Sequence, residues 1–399
     1  MAASDELRGR VKEVLADLVA VRHALHQIPE LHFQETETQA VIRRFLADTA
    51  LEVHPPLIGT DTVATLRGAA DGPCILLRSD IDALPVHERT GVAWSSRHDG
   101  RAHSCGHDGH MAILLGTARV LSSLADRLHG TVRFVFQPAE EESAGGKVLI
   151  EKGLLDLGPR PSMAFAFHGW PGLAQGTISS GAGPAMAAAD SFRISVRGKG
   201  GHAAEPHHGA DPVLAAAQVV TALHTLVSRA VDPREAALLS VCRIEGGHAS
   251  NVIPDEVTLE GTTRSYDEGV QDLMRQRVQR TVDGICAAAG CTGRVEYDQS
   301  YVPLVNHGEA VALAARVVAD HLGPSSWQPR HPPSMTAEDF AYYLQHVPGA
   351  LLRLGLGEQW PPLHSPGFDF NDEALEPGVT TMAGLALAFC GGPAAGGTR

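Results

Sequence analysis

The chain of 399 residues contains no apolar run close to the roughly 20 residues that a membrane-spanning helix needs. It also lacks a basic patch. Asp and Glu number 46 against 32 Lys and Arg, a formal net charge of -14 at pH 7, so nucleic acid is not an expected partner and a small molecule is. The six cysteines, Cys74, Cys105, Cys242, Cys286, Cys291 and Cys390, have no paired spacing, which argues for free thiols over a disulfide framework. The N-terminal segment lacks the basic start and apolar core of a secretion signal, so a cytoplasmic location is expected, with no membrane partner. No internal repeat or low-complexity tract is present. What is there is an ordinary globular composition, 44% hydrophobic and 20% charged, at a length that suggests two domains more readily than one.

The N-terminal segment reads as an amphipathic helix, with Val11, Leu15, Leu18, Val19 and Leu25 recurring near the helical period. "VATLRG" (63–68) and "CILLRSDIDALPV" (74–86) read as strands, the second almost uniformly apolar before its acidic pair, as for a strand covered on both faces. A helix is expected over "MAILLGTARVLSSLADRL" (111–128), a strand over "TVRFVFQPAEE" (131–141) and a further strand ending at His168. Ligand-type residues thus recur at strand ends, where α/β sheets gather their sites. "SSGAGPAMAAAD" (179–190), rich in Gly and Ala, reads as a hinge. Beyond it, strand 191–198, helix 211–230, strands 237–247 and 256–265, helix 272–290 and strand 292–300 follow the β-α-β-β-α-β order of a small ferredoxin-like α+β domain. The expected division is an α/β domain of residues 1–185 and 300–399, interrupted by a second domain of residues 186–299.

The densest chemistry lies in "HSCGHDGH" (103–110). Cys105 and His107 are two positions apart, so a turning backbone eased by the neighbouring glycines can aim thiolate and imidazole at one cation. His103 and His110 individually read as structural residues. "QPAEEE" (137–142) sets adjacent carboxylates at a strand end, where neighbouring side chains point in different directions. One glutamate can then bind a metal while another faces substrate. His168 follows an apolar strand, and His364 lies in the Pro-bounded loop "PPLHSPGFDFND". With Cys105, His107 and Glu141 they form a mixed S, N and O donor set large enough for two cations sharing a bridge.

"HSCGHDGH", "QPAEE", "FHGWP", "GKGGHAAEPH", "NVIPDEVTLEGTTRS", "EDFAYY" and "HSPGFDFNDEAL" follow one another in this order, with "LHQIPELHFQETET" and "LRSDIDALP" nearer the start. In these motifs, over nearly its whole length, the chain resembles the di-metal family of hippurate hydrolases, N-acyl-L-amino-acid amidohydrolases (aminoacylases) and auxin-amino-acid conjugate hydrolases. The resemblance implies an α/β fold: a mixed-sheet, di-metal exopeptidase-like catalytic domain with an inserted ferredoxin-like lid that also serves in dimerisation. It implies that Cys105 bridges two divalent ions, manganese, zinc, cobalt or nickel, whose shells His107, Glu141, His168 and His364 complete. By the same resemblance Glu140 is the general base, and His202 stabilises the oxyanion from the lid or from a dimer partner. Asn251 and Arg264 hold the substrate carboxylate, and Asp82 orients a metal ligand. Asp80, where more distant relatives carry a histidine ligand, is not assigned to the metal. Two positions depart from the family pattern: Glu142 stands where glycine is usual, and Gly367 where a larger, often basic residue is common.

The implied reaction is hydrolysis of an N-acyl amino acid, hippurate-like or N-acetyl, to a carboxylate and a free amino acid by a homodimer or higher homo-oligomer. A carboxypeptidase or dipeptidase would use the same machinery with a different pocket. A non-catalytic metal-binding protein would have no need of Glu140, and a thiol hydrolase with Cys105 as nucleophile would work without metal. A bridging Cys105 open to solvent is expected to be prone to oxidation, with loss of metal.

Overall fold

The computed structural model describes residues 2–329 and 332–391; residues 330–331 and 392–399, part of the expected 300–399 segment, lie outside the described residues. The chain forms two compact units, one of Met1–Gly183, Val305–Pro332 and Asp339–Arg399, the other of Pro184–Leu304 and Pro333–Glu338.

The first unit is built on a mixed eight-stranded sheet. Its spatial order is Glu52–Val53, Thr62–Arg67, His129–Gln137, Ala70–Asp80, Met163–Pro171, Gly349–Gly357, Ile178–Ser180 and Trp327–Pro329. The central strands His129–Gln137, Ala70–Asp80, Met163–Pro171 and Gly349–Gly357 run parallel. Their residues alternate between the two faces. Ile75, Leu77, Val132, Phe134, Phe136, Phe165, Phe167, Leu352 and Leu354 join the core formed with the long helices Ala2–His26, His107–Ser122, Gly308–His321 and Leu375–Cys390. The intervening positions Arg78 and Gln137 instead meet the short helices Gly145–Glu151 and Phe340–Leu344 through Asp339, Gly146 and Tyr343. Parallel strands put their carboxyl ends on one edge, and this edge delivers Asp80, Glu140 and Glu141 to one place.

Three local expectations change. The strand read as 74–86 stops at Asp80, and the helix starts at His107, so "HSCGHDGH" is half turn and half helix. The strand carrying His168 continues to Pro171, because Gly349–Gly357, an apolar strand that sequence reading left unassigned, pairs along its length with Arg353 opposite His168. The segment read as a hinge contains the boundary between the units, at Gly183, and is locally mostly strand, Ile178–Ser180, Gly183–Met186 and the start of Ala188–Arg197.

The second unit is an antiparallel four-stranded sheet ordered Ala237–Glu245, Glu256–Ser265, Ala188–Arg197 and Thr292–Tyr301. Helices Pro212–Leu223 and Glu268–Ala288 cover a core of Phe192, Ile194, Val196, Val219, Leu259, Val278 and Val282. The helix read as 211–230 breaks after Leu223 and resumes at Leu226–Ala230. This unit takes in 333–338 because Ala187 N–H donates to the carbonyls of Ser334 and Thr336, both at 3.0 Å.

Candidate functional site

In the first unit, three features aim the donor side chains. Gly106, with φ 87°, makes the left-handed turn into helix His107–Ser122, so Cys105 precedes the helix and His107 opens it. Gly109 lets that helix lie on the Phe370 ring, which a Cβ would approach to 2.3 Å. The His364 N–H donates to Ser104 O at 2.8 Å, joining the loop of one histidine to the turn of the cysteine across 260 positions of chain. His364 itself has φ 60°, a left-handed conformation that few non-glycine residues adopt.

Cys105 Sγ lies 3.5 Å from His168 Nε2 and 3.3 Å from His364 Nε2. Glu141 Oε1 is 3.4 Å from His364 Nε2 and 3.8 Å from His107 Nε2. Cys105, His107 and His168 form one group whose donor atoms lie within 4.8 Å of one another; Cys105, Glu141 and His364 form a second, and His107, Glu140 and Glu141 a third. The other ring nitrogens are spoken for: His107 Nδ1–H donates to Asp82 O at 2.8 Å and His168 Nδ1–H to Gly169 O at 2.8 Å. That leaves each Nε2 as the atom turned to the cluster. Among the described residues, His107 Nε2 and Glu141 Oε1 are buried without a hydrogen-bond partner, a costly arrangement that a cation would relieve.

Electrostatics point the same way. Burial disfavours charge on His107, yet Asp80, Asp82 and Glu141 raise its pKa to about 10, an excess of negative potential suited to a cation. Burial and neighbouring His110 push His168 down to about 3, so its ring is neutral and able to act as a ligand. Burial, then Glu141 and Glu140, push the Cys105 thiol well above its ordinary value. Contrary to the expectation of an open cysteine, Cys105 is only 6% exposed, because the turn that aims it also packs it beneath the loop of His364.

Asp82, named from the sequence, and several residues that sequence reading left out support this arrangement. Asp80 accepts from Arg78 Nη1 at 2.8 Å and pairs with His110 Nδ1 at 2.7 Å. Arg78 is fixed in turn by Gln137 and Asp339 at 3.0 and 2.7 Å. His110 Nε2 accepts the Gly169 N–H at 2.8 Å, tying the helix to the strand of His168. Asp82 Oδ2 accepts the Glu141 N–H at 2.9 Å, and Asp82 Oδ1 stands 3.4 Å from His107 Nδ1. On the N-terminal helix, buried Arg22 reaches Asp108 at 3.3 Å and Asp372 at 2.9 Å and also pairs with Asp369, clamping the segments of His107 and His364. The "RSD" and "EDF" motifs offered a signal for Arg78 and Asp339; nothing in the local sequence announced Arg22.

His202, Asn251 and Arg264 lie on the second unit. His202 pairs in register with Val252 on a short ribbon, and Asn251 O accepts the Ala203 N–H at 3.1 Å, so His202 and Asn251 are neighbours. Arg264, on strand Glu256–Ser265, donates to Thr263 O at 2.9 Å. Of the two departures from the family pattern, Glu142 pairs with His32 at 3.4 Å, and a Cβ on Gly367 would meet nothing within 4 Å.

Residues 76–388 match peptidase family M20/M25/M40. The chain is 41% identical over 360 residues to the N-acetyl-L-cysteine deacetylase of Bacillus subtilis (strain 168), covering 90% of this chain and 84% of that protein. It is 33% identical over 393 residues to thermostable carboxypeptidase 1 of Saccharolobus solfataricus, covering 96% and 98%. The solved structure of the Bacillus subtilis YXEP protein, a dinuclear metal binding peptidase from the M20 family, matches with a TM-score of 0.83 at 35% identity over 95% of this chain and 99% of that one. With the likeness running through both units and the mixed sheet that holds the donors, the chain belongs to peptidase family M20/M25/M40 and is a hydrolase acting on amide bonds.

Proposed function

We propose that the protein hydrolyses the amide bond of N-acyl amino acids, with two divalent metal ions held by Cys105, His107, Glu141, His168 and His364 and with Glu140 as general base. The observation that carries this reading is the set of overlapping donor groups that meet at Cys105, His107 and Glu141, two of whose atoms are buried without a hydrogen bond among the described residues. Thiolate, imidazole and carboxylate together suit zinc, manganese, cobalt or nickel. When bound, two such cations would supply Lewis-acid polarisation of a carbonyl and acidification of a water molecule. The Glu140 carboxylate, buried beside His107 and Glu141, takes up the proton and returns it to the departing amine. Asp82 orients His107 and holds the Glu141 backbone. The second unit serves as the lid in this reading: Asn251 and Arg264 hold the substrate carboxylate, a task suited to the guanidinium fork, and His202 donates to the oxyanion. It also makes the homodimer, for which the open edge of strand Ala237–Glu245 offers unpaired backbone groups beside exposed Ile244.

A nucleophilic role for Cys105 is disfavoured by its burial, since reactive cysteines are partly exposed. The test is hydrolysis of hippurate, N-acetyl amino acids and dipeptides by metal-stripped protein and by Glu140→Gln, each titrated with Mn, Zn, Co and Ni ions. Metal-restored cleavage of acyl amides by the wild type, at least about 100-fold faster than by a Glu140→Gln protein that still binds two ions, is the expected result. Preference for dipeptides would turn the reading to a dipeptidase or carboxypeptidase. Metal-independent cleavage would overturn it.

A further inference from the structure

Between 139 and 144 the loop that carries the two glutamates holds three non-glycine residues in left-handed backbone: Ala139 with φ 59°, Ser143 with φ 76° and Ala144 with φ 47°. Such conformations persist only where the surroundings over-determine them. Two buried carboxyls do so here. Asp82 Oδ2 accepts the Glu141 N–H at 2.9 Å, and Glu35 Oε1 accepts the Ala139 N–H at 3.1 Å. Glu140 therefore sits between two peptide groups, each pinned to a carboxyl.

Glu35 has no other evident task. It immediately precedes helix Thr36–Leu46, where an acidic side chain would ordinarily cap the first turn, yet it makes no capping bond. Glu30 does that instead, accepting from the N–H groups of Thr36, Glu37 and Thr38 at 3.1, 3.1 and 2.8 Å. Glu35 turns inward, fully buried, with Thr60 Oγ1 donating to its second oxygen at 2.8 Å. Burial pushes its carboxyl up to about 7, so the site is an unfavourable one for the carboxylate charge and the helix gains nothing from it.

We propose that Glu35 is a positioning residue for amide hydrolysis: its carboxyl latches the left-handed Ala139 peptide and thereby aims Glu140. This rests on Glu140 being the general base. A latch of this kind changes turnover more than binding, because a base displaced by about 1 Å can lose on the order of 100-fold in rate.

The experiment compares wild type, Glu35→Met, Glu35→Gln, Ala139→Gly and the double variant Glu35→Met/Ala139→Gly. All are metal-loaded and assayed on whichever of hippurate, an N-acetyl amino acid or a dipeptide the wild type cleaves fastest. Glu35→Met should lose about 30- to 100-fold in kcat with KM within about threefold. Its metal content should be unchanged, and its 139–144 amides should exchange hydrogen faster than in the wild type. Glu35→Gln keeps an acceptor for the Ala139 N–H and should stay within about threefold of wild type. Glycine adopts positive φ without strain, so Ala139→Gly should recover about tenfold of the loss in the double variant, judged against Ala139→Gly alone. Thr60→Val, which leaves Glu35 one bond short, should move kcat and exchange in the same direction by less, so the prediction survives a Glu35 variant that does not fold. Wild-type kcat and loop exchange in Glu35→Met, or in Thr60→Val if the former does not fold, would overturn the latch. So would a loss that Ala139→Gly fails to recover. Full activity in Glu140→Gln would instead overturn the general-base reading, whatever the Glu35 variants do.

Discussion

Glu88 carries a pH signature away from the donor cluster. Burial works against its charge, but His26 beside it and hydrogen bonds from Thr90 and the Ser96 N–H hold its carboxyl down to about 2 from an ordinary 4.5. Ser96 N lies 2.6 Å from its Oε2, and His26 Nε2 lies 3.4 Å from Oε1. A carboxyl depressed in the folded state contributes stability above its unfolded pKa and loses that contribution as pH falls through the folded one. Glu88→Gln should therefore be less stable than wild type at pH 7 by about 1 kcal/mol after allowance for solvent screening. The gap should close between pH 4.5 and about 2. Urea unfolding across that range reads it directly, and a gap independent of pH would show that the charge contributes nothing.

At the scale of elements, helix His107–Ser122 is the part on which the site depends. It opens with His107 and lies against the Phe370 ring at Gly109. It is fastened to the N-terminal helix through Asp108, which meets His26 at 2.7 Å and Arg22 at 3.3 Å. Helix propensity alone predicts that Gly109→Ala stabilises by about 1 kcal/mol. A Cβ 2.3 Å from the Phe370 ring predicts the reverse. Overpacking of this kind costs about 1–3 kcal/mol and should win. Because Phe370 lies in the loop that also carries His364, the variant should bind metal more weakly as well. Thermal unfolding and metal titration of Gly109→Ala check both effects, and a raised Tm would mean that Phe370 yields freely.

For the whole molecule, the proposed ligands come from four separate stretches of chain, at 105–107, 141, 168 and 364. Ions held there would tie these stretches together and would bind only the folded chain. Chelation should therefore lower Tm, and Mn or Zn ions at about 100 times Kd should restore about 2.7 kcal/mol per site. Calorimetry with and without chelator tests this, and an unchanged Tm would remove the two-ion reading. Much of this was legible in sequence order alone. Cys105, His107, the glutamates, His168 and His364 stand in motifs whose side-chain chemistry is local. The β-α-β-β-α-β pattern of the second unit follows from periodicity, which depends only on which residues face a core. Tertiary structure alone decided the rest. The pairing of His168's strand with Gly349–Gly357, the burial of Cys105, the Arg22 clamp and the Glu35–Ala139 hydrogen bond each join residues that are distant in the chain. Local sequence determines which side chains are present and which faces are apolar. Which buried polar groups meet is settled only when the packed sheet and helices fix which partners lie within reach of each.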